Sequence, residues 1–231
     1  MTLEEGVLFL AGGVFYTVNA SGAVEGARMG NVVVIVDVID MSTTAEAAID
    51  AGAIAVFGAS PDNAKPPVAV NPAKVAIAAG KLANLKNTGI IIVAEPRVAS
   101  EQERISRLQG VMRGLEDTGA EIRAVLPNLG AETVKLFDFT GCVLIAATST
   151  GGVAFDAAFS AGAPAVLTAT VARTIQKKGA VPARAGAVRA VQIAKELNTG
   201  ITVVAASANS LEDILAAEYI VRAILDNDFR G

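Results

Sequence analysis

Continuous apolar runs alternate with alanine-rich stretches along most of the chain. The runs are rich in valine and isoleucine and occupy residues 32–37, 54–58, 90–95, 122–126, 142–147, 165–168 and 201–206. Because these runs do not alternate with polar residues, they predict strands that are covered on both faces. The stretches between them predict helices, and several begin with capping signals: Thr43 with Glu46, Asn71 with Pro72, and Ser100 with Glu103. The order of elements predicts an α/β fold, with a mostly parallel sheet sandwiched by helices in three layers.

Two parts of the chain repeat in nearly the same register. Residues 31–60 align on residues 141–170 without a gap and share the pattern A-A-x-x-A-G-A-x-A-V. Further on, residues 87–94 (NTGIIIVA) align on residues 198–205 (NTGITVVA). Either match alone is compatible with a general likeness among alanine-rich units, but two matches in one register favour an internal duplication.

The duplication predicts how the chain is organised. We expect a single α/β domain over residues 1–231, built from two similar β-α-β-α-β-α halves at about 31–126 and 141–226. The halves are expected to be fused into one sheet or to form two facing lobes. Residues 1–30 are expected to form an edge strand or hairpin outside the repeat.

The composition restricts the chemistry. The chain has no histidine, which excludes Ser-His-Asp and Cys-His catalysis and imidazole metal ligands. With 52% apolar but only 4% aromatic residues, the core must be built from small aliphatic side chains. A net charge of −4 gives no electrostatic reason to bind nucleic acid or an anionic membrane.

Further features of the sequence bear on the location of the protein. No apolar stretch approaches the roughly 20 residues of a membrane span, and the first five residues lack the basic region of a signal peptide. The single cysteine, Cys142, lies in an apolar run and is interpreted as a small buried hydrophobe, with a reactive thiol as the alternative. We expect a soluble, cytoplasmic protein.

Two carboxylates end apolar runs in the first half of the chain. They are Asp37 and Glu95, and the aligned positions of the second half are Ala147 and Ala206. Since ligands of open α/β sheets bind at the carboxyl ends of the strands, both acids are candidates for holding Mg²⁺, and Asp37 also for acting as a nucleophile. The alternative is that Asp37 is a cap or loop residue at a helix entry and Glu95 an exposed charge at a turn.

Two polar segments follow runs in the second half. Residues 148–152 (TSTGG) place hydroxyls and two glycines at a predicted helix start, where backbone amides can bind an anion, although an ordinary cap and turn has the same pattern. Residues 209–213 (NSLED) predict a capping box, with a metal-binding or catalytic role for the two acids as the alternative.

Basic residues also occur in the predicted loops, where they either bind an anion or are simply solvated. They are Arg97, Arg173, Lys177, Lys178 and Arg184. Of these, Arg173 is favoured as an anion ligand because it closely follows a predicted strand.

Several of these motifs occur in the order typical of a known family. Residues 36–44 (VDVIDMSTT) are similar to its V-D-V-L-R-A-[ST]-[ST]-T motif, and residues 94–95 to its G-E strand end. Residues 128–131 (NLGA) and 147–152 (ATSTGG) resemble its D-L-G-N-S-P and T-T-T-N-G-T segments, and residues 210–215 (SLEDIL) its closing S-L-E-D-V-L. In these motifs the chain resembles the 2-phosphosulfolactate phosphatases of coenzyme M biosynthesis.

The resemblance covers roughly residues 31–225 and has functional implications. It implies an α/β fold, a homo-oligomer such as a dimer, and Mg²⁺-dependent removal of phosphate from a small phosphorylated or sulfonated hydroxy acid. Matched by position, the implied site contains Asp37, Ser42, Thr43, Glu95, Thr148, Gly151, Glu212 and Asp213.

Departures from the family pattern lead to a second hypothesis. Asp40 stands where the family has arginine, and it would repel an anion that arginine would bind. The first hypothesis is a Mg²⁺-dependent phosphatase whose metal ligands are Asp37, Glu95 and Glu212, with Asp37, Glu95 and Asp213 as catalytic acids. Its phosphate-binding groups are Ser42, Thr43, Thr148, Ser149, Thr150, Gly151 and Gly152. The second is a catalytically inactive relative that binds a small anionic metabolite or a protein partner.

Overall fold

The computed structural model describes residues 12–228, which alternate between strands and helices. Within this range there are eight strands: β1 (Val14–Val18), β2 (Val32–Val36), β3 (Ala55–Ala59), β4 (Ile90–Ala94), β5 (Ile122–Pro127), β6 (Val143–Ala147), β7 (Val166–Thr168) and β8 (Ile201–Ala205). The same range forms eight α-helices: α1 (Asn19–Arg28), α2 (Ser42–Asp50), α3 (Pro72–Leu85), α4 (Glu101–Ile105), α5 (Gln109–Glu116), α6 (Gly151–Ser160), α7 (Val181–Leu197) and α8 (Leu211–Asp228). A 3-10 helix, Gly130–Lys135, lies between β5 and β6.

The strands form two four-stranded sheets, and every strand pair in the described range is parallel. Sheet A has the order β1-β8-β2-β7, and sheet B has the order β3-β6-β4-β5. The α/β fold predicted from the apolar runs is therefore confirmed. Of the predicted N-terminal edge strand or hairpin, residues 1–11 lie outside the described range; β1 forms one edge of sheet A and leads directly into α1.

The two halves of the chain are similar, and they are interleaved. Sheet A takes β1 and β2 from the first half and β7 and β8 from the second, whereas sheet B takes β3 to β6. The sequence repeats align β2 with β6, β3 with β7, and β4 with β8. With β5 as the counterpart of β1, replacing each strand of sheet A by its counterpart gives the order of sheet B. Each half therefore supplies strands to both sheets.

Helices cover both faces of the central strands, which explains why those strands are apolar throughout. In β2, Val32, Val34 and Val36 pack with α7 and α8, whereas Val33 and Ile35 pack with α1 and α6. In β4, alternate residues pack in the same way either with α3 and α5 or with α2. Side chains of successive strand residues point to opposite faces, so burial of both faces requires an apolar residue at every position.

Small residues allow the outer helices to pack closely on neighbouring segments. A Cβ atom on Gly114 of α5 would lie 2.4 Å from the carbonyl oxygen of Ala73 in α3. In the other half, a Cβ atom on Gly186 of α7 would lie 2.6 Å from the Cβ of Ala169. This close packing is consistent with a core that is rich in alanine and poor in aromatic residues.

One helix start differs from the prediction. The expected capping box of Thr43 and Glu46 is wrong, because α2 begins at Ser42 and its N-cap residue Met41 makes no side-chain cap. Glu46 instead turns into the interior, where it accepts a hydrogen bond from Thr168 at 2.7 Å and pairs with Arg189 at 2.5 Å. The other two predicted caps are confirmed: Asn71 caps α3 and Ser100 caps α4.

Within residues 12–228, no helix combines the length and the apolar character that crossing a membrane requires.

The interleaved topology predicts that neither half folds alone. A fragment of residues 1–118 and its complement, residues 119–231, should each lack cooperative unfolding, because each contributes only part of either sheet. Mixed together, they should regain the two-sheet structure. Circular dichroism during urea titration of the separate and mixed fragments checks this, and cooperative unfolding of either fragment by itself would contradict it.

Candidate functional site

The carboxyl ends of the two sheets meet around Asp37. This residue directly follows β2 of sheet A, and its side chain contacts the segment between β6 of sheet B and α6. In the duplication alignment, Asp37 corresponds to Ala147 at the end of β6. The acid therefore lies where the two halves approach each other, although only the first half provides it.

The Asp37 carboxylate is enclosed by hydrogen-bond donors. Its Oδ1 accepts a bond from the Asp40 amide at 2.9 Å. Its Oδ2 accepts from the Thr150 hydroxyl at 2.6 Å and from the Gly151 amide at 2.5 Å. The side chain is buried, with 2% of the residue exposed. Burial raises the pKa of Asp37, and the hydrogen bonds from Thr150, Asp40 and Gly151 oppose that shift.

This arrangement changes the role of the Thr-Ser-Thr-Gly-Gly segment. Helix α6 does begin there, at Gly151. The Gly151 amide is bonded to Asp37, and the Gly152 amide donates to the Thr148 hydroxyl oxygen at 2.8 Å. The anion at this helix N-terminus is therefore the protein's own Asp37, placed where the macrodipole stabilises a negative charge. Thr148 is buried and Ser149 is exposed.

A second cluster surrounds Arg97. Its Nη2 donates to Asp40 Oδ1 at 3.1 Å, and its Nε donates to Glu95 Oε1 at 3.4 Å. Asn128, which follows β5, donates to the same Glu95 oxygen at 3.1 Å and to the backbone carbonyl of Asp40. Asp40 and Glu95 are partly exposed, with 36% and 29% of their side chains accessible. One guanidinium thus holds together two carboxylates from the ends of β2 and β4.

Arg97 brings a guanidinium to Asp40 from the segment after β4. Arg104 fixes residues 96–99, the segment that carries Arg97. Its Nη1 donates to the carbonyls of Ala99 at 2.9 Å and Pro96 at 3.4 Å. Arg104 itself is buried.

The hydroxyls at the start of α2 bond mainly to the protein. Ser42 Oγ accepts from the Asp37 amide and donates to the Ile35 carbonyl, both at 2.9 Å. Thr43 donates to the Val38 carbonyl at 2.5 Å and lies 2.9 Å from the Thr170 hydroxyl. These buried contacts fix the turn between β2 and α2, which carries both Asp37 and Asp40.

Of the predicted capping box at 209–213, the Ser210 cap forms, but the Asp213 carboxylate does not reach back to the Ser210 amide, which donates to the Ser207 carbonyl instead. Helix α8 begins at Leu211, and the Asp213 amide donates to Ser210 Oγ at 3.2 Å. The Asp213 carboxylate is also directed at the site, because its Oδ1 accepts from the Val38 amide at 2.9 Å. Burial is the main cause that raises the pKa of Asp213 to about 6; the Val38 hydrogen bond opposes the shift and the negative charge of Asp37 adds to it. Glu212 instead lines a separate cavity beside Tyr219, between the starts of α7 and α8.

The other residues singled out from the sequence lie elsewhere. Arg173 pairs with Glu132 at 2.9 Å, and Lys177 pairs with the buried Asp50 at the end of α2. Cys142 is buried, and its sulfur lies 3.3 Å from Nη1 of Arg123. Cys142 therefore contacts none of the residues that bond to Asp37.

Among the described residues, no group of three or more Asp, Glu or Cys side chains is arranged to hold a metal ion. Of the acids predicted as metal ligands, Asp37 is buried and accepts three hydrogen bonds, Glu95 faces Arg97, and Glu212 lines the other cavity. The partly exposed carboxylates that the structure brings together are Asp40 and Glu95. Mg²⁺ commonly takes one or two carboxylates from a protein, so this pair fits its minimum requirement.

The sequence does not single out three residues of this cluster as site residues. Asp40 stands out mainly as a departure from the family pattern, Arg173 is favoured over Arg97 as an anion ligand, and Asn128 is part of a motif without an assigned role. Each directly follows or closely follows a strand of the central region. Their positions after strand ends are the available signal, but only the contacts of Asp40 with Arg97 and Asn128 show that β2 of one sheet ends near β4 and β5 of the other.

The sequence matches no protein-family model, and it matches no curated protein sequence.

The hydrogen bonds of Asp37 predict a structural role that can be measured. Asp37→Ala should reduce the free energy of unfolding by about 2–4 kcal/mol, because it leaves the buried Gly151 amide and the partly buried Asp40 amide without an acceptor. Asp138→Ala is a matched control, since the exposed Asp138 also accepts from a backbone amide, that of Thr140. Urea titration compares the two, and an equal loss in both variants would contradict the prediction.

The pKa of Asp213 predicts a dependence of stability on pH. Because its folded-state pKa of about 6 exceeds the ordinary value of 3.8, the folded protein binds this proton more tightly. The resulting stabilisation is complete below pH 3.8 and is lost as the pH rises through about 6.

Asp213→Asn separates this effect from others, because the amide oxygen can still accept from Val38 but the side chain no longer ionises. We expect the variant to match the native protein near pH 4 and to exceed its unfolding free energy by about 1–2 kcal/mol near pH 8. Urea titrations at both pH values test this. A variant that is less stable than the native protein at pH 8 would contradict it.

Proposed function

We propose that the protein is a Mg²⁺-dependent phosphatase that acts on a small phosphorylated hydroxy or sulfonic acid. The observation that carries the proposal is that Arg97 joins Asp40, which follows β2, to Glu95, which follows β4, while the Asp40 amide bonds to the buried Asp37. Burial raises the pKa of Asp37, and a buried carboxylate beside other acids at the carboxyl ends of parallel strands is typical of catalytic sites. The motif order shared with 2-phosphosulfolactate phosphatases supports the same reaction class.

The proposed metal ligands differ from those expected from the sequence. Asp40 and Glu95 would hold Mg²⁺, because they are partly exposed and lie on the same guanidinium. When bound there, Mg²⁺ supplies neutralisation of the phosphate charge during transfer. Asp37 is a positioning residue in this proposal: it holds the Asp40 amide and the start of α6 in place.

Three further side chains, Arg97, Thr150 and Asn128, have proposed roles in binding the phosphate and in positioning the acids. Arg97 binds the phosphate through a charge-assisted hydrogen bond, since a planar guanidinium suits a phosphate group. Thr150 lies between Asp37 and Asp40, and its hydroxyl is 2.6 Å from Asp37 Oδ2 and 3.4 Å from Asp40 Oδ2. Asn128 holds Glu95 and the Asp40 backbone together.

The proposal predicts metal-dependent phosphate release that depends on the exposed acids. We expect the native protein to release phosphate from small phosphorylated hydroxy acids only with Mg²⁺ present. Glu95→Gln and Asp40→Asn should raise the Mg²⁺ concentration needed for half-maximal rate by about tenfold or more, because each removes one ligand charge. Arg97→Met should instead raise KM for the phosphorylated acid. Phosphate release is measured over a Mg²⁺ titration with each variant.

Matched controls come from ion pairs outside the site. Glu121→Gln and Arg107→Met remove exposed charges that pair with Arg123 and Glu103, and they should leave the rates unchanged. If the native protein releases no phosphate with Mg²⁺ from any acid in the panel, the proposal is wrong. Native-like Mg²⁺ dependence in both acid variants would also exclude the assigned ligands.

One observation favours a second candidate, a non-catalytic protein that binds a small anionic metabolite. The protein already places its own anion, Asp37, on the amides of α6 and its own cation, Arg97, between Asp40 and Glu95. A site whose charges are mutually satisfied can bind without turnover. Calorimetry would then detect binding of a phosphorylated or sulfonated acid that is recovered unchanged and that is weakened by Arg97→Met with or without Mg²⁺.

A further inference from the structure

A cavity of about 400 Å³ lies between β3 and β7, apart from the residues of the candidate site. These two strands are edges of their sheets, β3 of sheet B and β7 of sheet A. The cavity is lined by residues 53–57 and by residues 163–168, and the duplication aligns residues 53–57 with residues 163–167. Counterpart segments of the two halves therefore form its opposite walls. Its size falls within the range of small-molecule sites.

Aromatic rings form part of the wall. Phe57 packs edge to face against Phe155, with ring centroids 6.3 Å apart and an interplanar angle of 60°. It packs in the same manner against Phe159, at 6.4 Å and 79°. All three rings line the cavity, although the chain contains only 4% aromatic residues. A ligand with a flat aromatic ring can make edge-to-face and stacked contacts with these phenylalanines, which a ligand with an aliphatic chain cannot make.

One charged side chain, Arg189 of α7, is among the described residues that line the cavity. Its Nη2 donates to Glu46 Oε1 at 2.5 Å and to the Thr168 carbonyl at 2.8 Å. Its Nε and Nη1 make no hydrogen bond to the described part of the chain, and 27% of the side chain is exposed. The guanidinium is thus held in place by one of its nitrogens and keeps donors available.

The charges around Arg189 cancel within the chain, so an anion would bind through the guanidinium donors that the chain leaves unused. Glu46 pairs with Arg189 and also lies within the influence of Lys177, which in turn pairs with Asp50. Two acids of α2 are therefore balanced by two cations. On the opposite wall, the segment of β3 that lines the cavity has no charged residue. The cavity is apolar and aromatic along its length and carries hydrogen-bond donors of a cation on one side.

From this geometry we infer that the cavity binds a small carboxylic acid with an aryl-alkyl body, whose carboxylate accepts from the unused donors of Arg189. The aromatic body lies against the phenylalanine wall between the two sheet edges. Charge-assisted hydrogen bonds at the end of an apolar pocket give this class of ligand its orientation. The inference is independent of the phosphatase proposal, because none of the site residues discussed above lines this cavity.

The test uses three probes that share one body: 4-phenylbutanoate, 4-phenylbutanol and 4-phenylbutylamine. Calorimetry on the full chain should show one acid bound per protein, with a Kd about tenfold or more below that of the alcohol and with the amine weakest. Shifts of backbone amide resonances in β3 and β7 should locate the bound acid.

Two variants address the cavity and the charge separately. Ala163→Phe places a ring in the cavity and should weaken binding of the acid by about tenfold or more; Val56→Phe serves the same purpose if the first variant does not fold. Arg189→Met combined with Glu46→Gln removes the cation without leaving a buried carboxylate, and it should bring the acid to the affinity of the alcohol. Arg184→Met, an exposed position on the same helix, is the matched control and should bind as the native protein does.

Several results would overturn the inference. They are the absence of binding at millimolar acid, equal affinity for the acid and the alcohol, or unchanged binding in both cavity-filling variants. A protein that sediments as a dimer with β3 and β7 protected from hydrogen exchange would also overturn it, because a second copy would then cover the cavity.

Discussion

The carboxylate of Asp37 joins the end of a strand in sheet A to the first turn of a helix that follows a strand in sheet B. A carboxylate that is almost fully buried needs strong donors, and here it has the α6 amide of Gly151, the Thr150 hydroxyl and the Asp40 amide. The turn that presents Asp40 is fixed by the same bonds. The position of Asp40 relative to Arg97 and Asn128 therefore depends on this one buried anion.

The duplication makes that dependence asymmetric. Both sheets take strands from both halves. Their carboxyl ends approach each other where the end of β2, from the first half, meets the start of α6, from the second half. At that place Asp37 has Ala147 as its counterpart, and one half supplies the anion while the other supplies the helix that binds it. Buried acids occur at aligned positions within the helices too: Asp156 of α6 accepts from Ser60 and Asn71, and Glu46 of α2 pairs with Arg189. These two acids thus keep aligned positions in the two halves but bond to different partners.

Two sites of different character follow from this divergence. Around Arg97 the groups are acidic, partly exposed and close to the strand ends, and the proposed metal site rests on them. Between β3 and β7 the walls are apolar and aromatic, and the free donors of Arg189 suit an organic acid. In both places an arginine that pairs with an acid of its own chain provides the donors. Such a pair holds the guanidinium in position before a ligand arrives, which lowers the entropy lost on binding.

Local pattern was sufficient for the strands, most helix starts and the internal repeat, because continuous apolar runs, caps and aligned motifs depend on residues close together in the chain. The same pattern located Asp37 and Glu95 at strand ends. It did not show that Asp37 would bond to Gly151, that Glu46 would turn from a helix cap to Arg189, or that Arg97 would lie beside Asp40. Those contacts join residues far apart in the chain, and they require the order of strands within each sheet and the exchange of strands between the halves. Short stretches of sequence do not reveal the strand order or the exchange of strands, because an apolar strand packs equally well beside many neighbours.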